Sequence, residues 1–107
     1  MSGGSVVGDF GGRVALVTGA SSGIGRACAQ LLASQGASVM VTGRNQAASQ
    51  ETLALVAMAE AEGHLMLGDV SDSSFANALV AGVIDRFGRL DVVVNAAGVI
   101  VRADAEA

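Results

Sequence analysis

The sequence predicts an α/β domain, a doubly wound parallel sheet of four strands in the order 3-2-1-4 with helices on both faces. Three features point there. Continuous apolar runs rich in β-branched residues, such as VALVT at 14–18 and LDVVVN at 90–95, suit strands buried on both faces of a sheet. They alternate with longer segments in which apolar side chains recur at helical spacing. The first strand also runs into its helix through a glycine-rich turn, TGASSGIG at 18–25. Right-handed crossovers place strands 2 and 3 on one side of strand 1 and strand 4 on the other. That reversal opens a crevice at the carboxyl ends of strands 1 and 4, where TGASSGIG and NAAG (Asn95 to Gly98) both fall.

The elements follow in order. After VALVT, the apolar positions Ile24, Ala27, Cys28, Leu31 and Leu32 describe one helix face, and Gly36 supplies the stop. ASVMVTG at 37–43 is the second strand. Asn45 caps a second helix through QAASQETLALVAMAEAE to Gly63, and HLMLGDV at 64–70 is the third strand. Ser71 or Asp72 caps a third helix, in which Phe75, Leu79, Val83 and Phe87 repeat every four residues before Gly88 ends it. LDVVVN follows at once as the fourth strand. Residues 1–10 read as a flexible tail and 11–107 as one domain.

A chain of 107 residues can build one core, burying roughly two thirds of the surface its unfolded form exposes. With three phenylalanines and no Trp or Tyr, that core rests on Ala, Val, Leu, Ile and Met. Ten acidic residues oppose six arginines and no lysine, so no basic face exists to attract nucleic acid or an anionic membrane. No long apolar run suggests a membrane span and no leader pattern precedes the domain, which makes the cytoplasm the expected compartment. Cys28 is the only cysteine and reads as a small buried hydrophobe, so neither a disulfide nor a metal cluster is expected. His64 reads as a solvated residue at a strand entrance, and Arg26 as a charged surface position.

A helix N-terminus carries unpaired N–H groups and a positive partial charge, so a loop that lets a ligand come close there is a phosphate site. Gly19 permits the tight turn out of the strand, Gly23 the close approach of a pyrophosphate, and Gly25 the packing of helix on strand, while Ser21 and Ser22 add hydroxyl donors. The spacing G-x-x-x-G-x-G is neither G-x-G-x-x-G nor the P-loop, which needs a lysine that this chain lacks.

TGASSGIG after the first strand, Asp69-Val70 after the third and NAAG after the fourth together resemble the short-chain dehydrogenase/reductase family over about residues 11–107. The resemblance implies a Rossmann-type sheet that binds NAD(H) or NADP(H). It also implies that Gly19, Ser21, Gly23, Ile24 and Gly25 line the pyrophosphate loop. Asp69 and Val70 would then meet the adenine, and Asn95, Ala96 and Gly98 would hold strand 4 and the nicotinamide-side ribose. Two of these have other readings: Asp69 as a cap of the next helix, and Asn95 as a tie between strands. At the end of strand 2, where an acid would suit the ribose 2′-hydroxyl of NAD, stand Gly43-Arg44, and a guanidinium suits the 2′-phosphate of NADP. NADP(H) is therefore the expected cofactor, with NAD(H) possible.

The resemblance also implies catalysis by Ser, Tyr and Lys, the tyrosine exchanging a proton with a small carbonyl or alcohol substrate while hydride moves at the nicotinamide. The chain contains no Tyr and no Lys. It reads as the N-terminal, cofactor-binding part of such an oxidoreductase, inactive alone. A non-catalytic NADP(H)-binding module is the alternative, and a methyltransferase-type domain a third, although that would want an acid after strand 2. With strand 4 last in the sheet, LDVVVN is expected to be an exposed apolar edge that recruits a second copy, giving a homo-oligomer or aggregate.

Overall fold

The computed structural model describes residues 10–20, 23–96 and 99–102, the last four as backbone. Eight elements follow one another: β1 (Val14–Thr18), α1 (Gly23–Ser34), β2 (Ser38–Gly43), α2 (Gln46–Met58), β3 (Gly63–Leu67), α3 (Ser73–Phe87), β4 (Val92–Asn95) and β5 (Val99–Arg102). They form one sheet in the order β3-β2-β1-β4-β5. The first four strands are parallel, with Val14 opposite Ser38, Val39 opposite Gly63 and Ala15 opposite Val92. Their order is 3-2-1-4, as the crossover rule requires.

The fifth strand corrects the expected exposed edge. β5 pairs antiparallel with β4, Val92 opposite Arg102 and Asn95 opposite Val99, so the chain itself covers LDVVVN. Val99-Ile100-Val101 has strand composition, and only residues 96–98 separate it from β4. A parallel strand needs a crossover of a dozen or more residues, so so short a connection permits only an antiparallel return.

Alternation along β1 sorts the core into two layers. Ala15 and Val17 face α1 and α2 with Ala29, Leu32, Ala33 and Val56. Val14 and Leu16 face α3 with Met40, Leu79 and Val83. All five β1 residues are buried, as expected of a central parallel strand. The Phe75, Leu79, Val83, Phe87 repeat does face this second layer, with Leu79 and Val83 fully enclosed. Burying each of those two contributes roughly 1.5–3 kcal/mol.

The α1 face differs from the expected stripe. The helix buries Gly25, Ala29, Leu32 and Ala33, while Ile24 and Leu31 are 65% and 58% exposed. Close approach at Gly25 decides this, because small residues let the helix axis lie near the sheet. Cys28 is half-buried rather than enclosed, and with Phe10, Leu31, Leu32, Val92 and Val94 it walls an apolar cavity of about 200 Å³.

Both helix-start expectations resolve. The Asn45 side chain accepts a bond from the Ala48 N–H at 2.9 Å, capping α2. Asp72, not Ser71, caps α3, its Oδ1 accepting from Ser74 N at 2.9 Å and Phe75 N at 3.4 Å. Gly88 ends α3 at φ 86° with its N–H donating to the Ile84 carbonyl at 2.8 Å. α2, however, stops at Met58 instead of running to Gly63. The strand must begin at Gly63 to pair with Val39, and a Cβ on Gly63 would stand 2.9 Å from Leu53 and Val56 of α2. Glu60 makes the turn at φ 64°. His64, on the edge strand β3, is half-buried and places its ring edge-on to Phe87 with centroids 6.0 Å apart.

At the amino end of the sheet, Asp91 ties β4 to β1. Its Oδ2 accepts from the Val14 N–H at 2.8 Å, and Arg89 grips the carboxylate bidentately, both bonds at 2.8 Å. The Asp91 carboxyl is held below the usual carboxylate range, first by the Arg89 hydrogen bonds, with help from Val14 N–H and against the opposing effect of burial.

Candidate functional site

Because β1, β2 and β3 are parallel, the residues that follow them gather at one edge of the sheet. Gly19 follows β1, Arg44 and Asn45 follow β2, and Gly68, Asp69 and Val70 follow β3. With Thr42 and Gly43 they enclose a cavity of about 380 Å³. Its walls are held by backbone bonds that extend the ladder past the strand ends, Ala20 N–H to Thr42 O at 2.9 Å and Gly68 N–H to Gly43 O at 3.1 Å. Thr42 is fully enclosed, and its hydroxyl meets no partner among the described residues.

The glycines of the turn differ in what they permit. Gly19 sits at φ 66°, and a Cβ there would stand 2.8 Å from the Ala96 Cβ, so both conformation and space demand glycine. A Cβ on Gly25 would overlap the Gly19 carbonyl and stand 2.9 Å from Ala20 Cα. A Cβ on Gly23, the first residue of α1, would meet none of the described residues within 4 Å beyond its neighbours and its own helix backbone. Packing among the described residues therefore accounts for glycine at 19 and 25 but not at 23. Open space beside the N–H groups of a helix start is where an anion comes closest.

Behind the turn lies a polar relay that the sequence reading did not find. Thr52 of α2 donates to the Ala20 carbonyl at 2.7 Å and accepts from Arg26 Nε at 3.1 Å. Arg26 also donates to the Ala48 carbonyl at 3.0 Å and pairs with Glu51 at 3.0 Å. It is thus a half-buried strut between α1 and α2, not a surface charge. The signal available was the stripe Ser49, Thr52, Val56, two polar residues at helical spacing on the buried face of α2.

The other predicted residues divide into groups. Gly19, Arg44, Asp69 and Val70 line the one cavity. Ile24 is exposed on the first turn of α1 beside Gly23. Asn95 and Ala96 lie across Gly19 from the cavity, Asn95 opposite Thr18 in register and Ala96 N–H donating to Thr18 O at 3.1 Å. Ala96 lies against Gly19, and the cavity lined by Gly19 opens at the ends of β1, β2 and β3. Ser21, Ser22 and Gly98 lie outside the described residues.

Charge at the cavity mouth is arranged as a pair. Arg44 Nη1 stands 3.2 Å from Asp69 Oδ2, both side chains substantially exposed. Asp69 Oδ1 accepts from the Ser71 N–H at 2.9 Å and the Ser71 hydroxyl at 2.7 Å, and does not cap α3. Those Ser71 bonds, ahead of Arg44, hold the Asp69 carboxyl below its ordinary value. The cavity thus presents one guanidinium and one oriented carboxylate, groups able to meet an anion and an amino or hydroxyl group. Among the described residues, no group of three or more His, Cys, Asp or Glu could hold a metal ion, and no helix is long and apolar enough to cross a membrane.

Comparison with known proteins agrees with this architecture. The family model described as short chain dehydrogenase matches residues 13–107. A 3beta-hydroxysteroid dehydrogenase from Mediterraneibacter gnavus is 42% identical over 98 residues, which cover 92% of this chain and 36% of that protein. The crystal structure of an NAD+-bound xylitol dehydrogenase superposes with a TM-score of 0.77 at 32% identity, covering 79% of this chain and 33% of that one. A hydroxysteroid dehydrogenase from Escherichia coli gives 0.76 at 29% identity, covering 80% and 37%. The chain spans about a third of the length of these relatives. With a glycine turn, a parallel 3-2-1-4 sheet and a family match over nearly its whole length, the chain belongs to the short-chain dehydrogenase family of oxidoreductases.

Proposed function

We propose that residues 11–107 form the NAD(P)(H)-binding domain of a cytoplasmic, homo-oligomeric oxidoreductase that moves hydride between nicotinamide and a small carbonyl or alcohol substrate; Phe10, read from the sequence as part of a tail, instead packs on the core, its N–H donating to the Gln35 carbonyl at 3.2 Å. The observation that carries this reading is Gly23, at a helix start, where a Cβ would meet none of the described residues within 4 Å beyond its neighbours and its own helix backbone. The pyrophosphate fits there, with Ser21 and Ser22 adding donors. Asp69 and Val70 receive the adenine, and Asn95, Ala96 and Gly98 hold the nicotinamide-side ribose. When bound, the nicotinamide supplies the hydride donor or acceptor. The names of the hydroxysteroid dehydrogenases and the xylitol dehydrogenase that this chain resembles support an alcohol or ketone as the substrate class.

Arg44 makes NADP(H) the preferred cofactor. No acid follows β2 to repel a 2′-phosphate, and one charge-assisted bond of about 1.5–3 kcal/mol corresponds to roughly a ten- to hundredfold preference. Titrating NADPH and NADH against the chain and against Arg44→Ala tests this. The preference is expected in the parent and lost in the variant; equal binding of NADH by the parent overturns the assignment.

A further inference from the structure

We propose that Asp69 is an intramolecular competitor for Arg44 and so sets how strongly the cavity discriminates 2′-phosphorylated from unphosphorylated adenine nucleotides. This rests on the reading that the cavity takes the adenosine part of the cofactor and that Arg44 faces the 2′-phosphate.

Three observations lead to it. Arg44 and Asp69 come from successive strand ends, β2 and β3, and line the same cavity. Among the described residues Arg44 bonds to Asp69, through a single bond at 3.2 Å that leaves the rest of the guanidinium fork for a ligand. Asp69 is also not a freely swinging side chain, because Ser71 engages Oδ1 twice, through its N–H and its hydroxyl. The remaining oxygen, Oδ2, is thereby fixed toward Arg44.

A 2′-phosphate approaching Arg44 must share the guanidinium with this carboxylate, which cancels part of the positive charge that the phosphate seeks. The pair is solvent-exposed, so the penalty is small and screened by salt; pairs of this kind amount to about a two- to fivefold effect on an equilibrium. Asp69 therefore acts through Arg44 as a positioning residue that tempers the preference for the phosphorylated nucleotide. An adenine amino group bound at Oδ2 would relieve the competition, linking recognition of base and phosphate.

The test is a double-mutant cycle read by calorimetric titration at low ionic strength, with adenosine 2′,5′-bisphosphate and adenosine 5′-monophosphate as probes of the 107-residue chain. Asp69→Asn keeps the shape and an acceptor for Ser71 but removes the charge. It is expected to raise the affinity ratio of bisphosphate to monophosphate about two- to fivefold, and to leave that ratio unchanged in an Arg44→Ala background. A parent that prefers the bisphosphate, with no change in Asp69→Asn, overturns the competition while leaving the cofactor reading intact. The same gain in the Arg44→Ala background shows simple repulsion of the phosphate by Asp69 and also overturns it. Failure of both probes to bind the parent overturns the proposal and the reading together.

Discussion

Gly23→Val is expected to fold as the parent does and to lose dinucleotide binding by about a hundredfold or more. A Cβ at this position meets none of the described residues within 4 Å beyond its chain neighbours and its own helix backbone, so packing among the described residues does not oppose the substitution. On the proposed reading, what it fills is the space a pyrophosphate would take at the start of α1. Removing two charge-assisted bonds to a pyrophosphate, each worth about 1.5 kcal/mol or more, produces a loss of that order. Gly25→Val is the contrasting variant, because its Cβ would overlap the Gly19 carbonyl, and backbone at that place cannot move aside cheaply. It is expected to unfold the chain or abolish soluble expression. Thermal melts by circular dichroism beside NADPH titration check both. Parent-like affinity in a folded Gly23→Val protein would remove the main support for the pyrophosphate assignment.

Asp91→Ala is expected to lower the melting temperature by about 10–20 °C at neutral pH, from the loss of about 2–3 kcal/mol. The substitution strands the buried Val14 N–H at the start of the central strand and leaves Arg89 without its carboxylate. Acid should act at the same place. Arg89 and Val14 hold the folded carboxyl below its ordinary value of 3.8, so the unfolded chain takes up the proton first as pH falls. The stabilisation is fully present above the unfolded value and disappears as pH drops through the lower, folded one. Melting temperature between pH 7 and pH 3 should therefore fall more steeply for the parent than for Asp91→Asn. Parallel curves would show that the clamp contributes nothing.

Much of this molecule could be read before any coordinates. Parallel strands buried on both faces leave continuous apolar runs, helices between them leave a helical period, and capping residues such as Asn45 and Asp72 sit where backbone N–H groups lack partners. The turn TGASSGIG is legible because three glycines within seven residues at a strand-to-helix junction form a local pattern in the sequence. These features depend on residues near one another in sequence, so sequence alone determined the 3-2-1-4 order and the family.

Features that depend on meetings between distant residues required the tertiary structure. The buried face of α1 follows from how closely the helix approaches Gly19 and Ala20, which moved Ile24 and Leu31 outward despite their hydrophobicity. Arg26 became a strut only because α2 brings Thr52 and Ala48 beside it. Asp91 reads as one more charge until Val14, 77 positions away, is seen to donate to it. The Arg44–Asp69 pair likewise joins two strand ends 25 residues apart. Local periodicity records which face a residue prefers, whereas the partner of a charge or hydroxyl depends on register and on helix approach, and only the assembled sheet sets those.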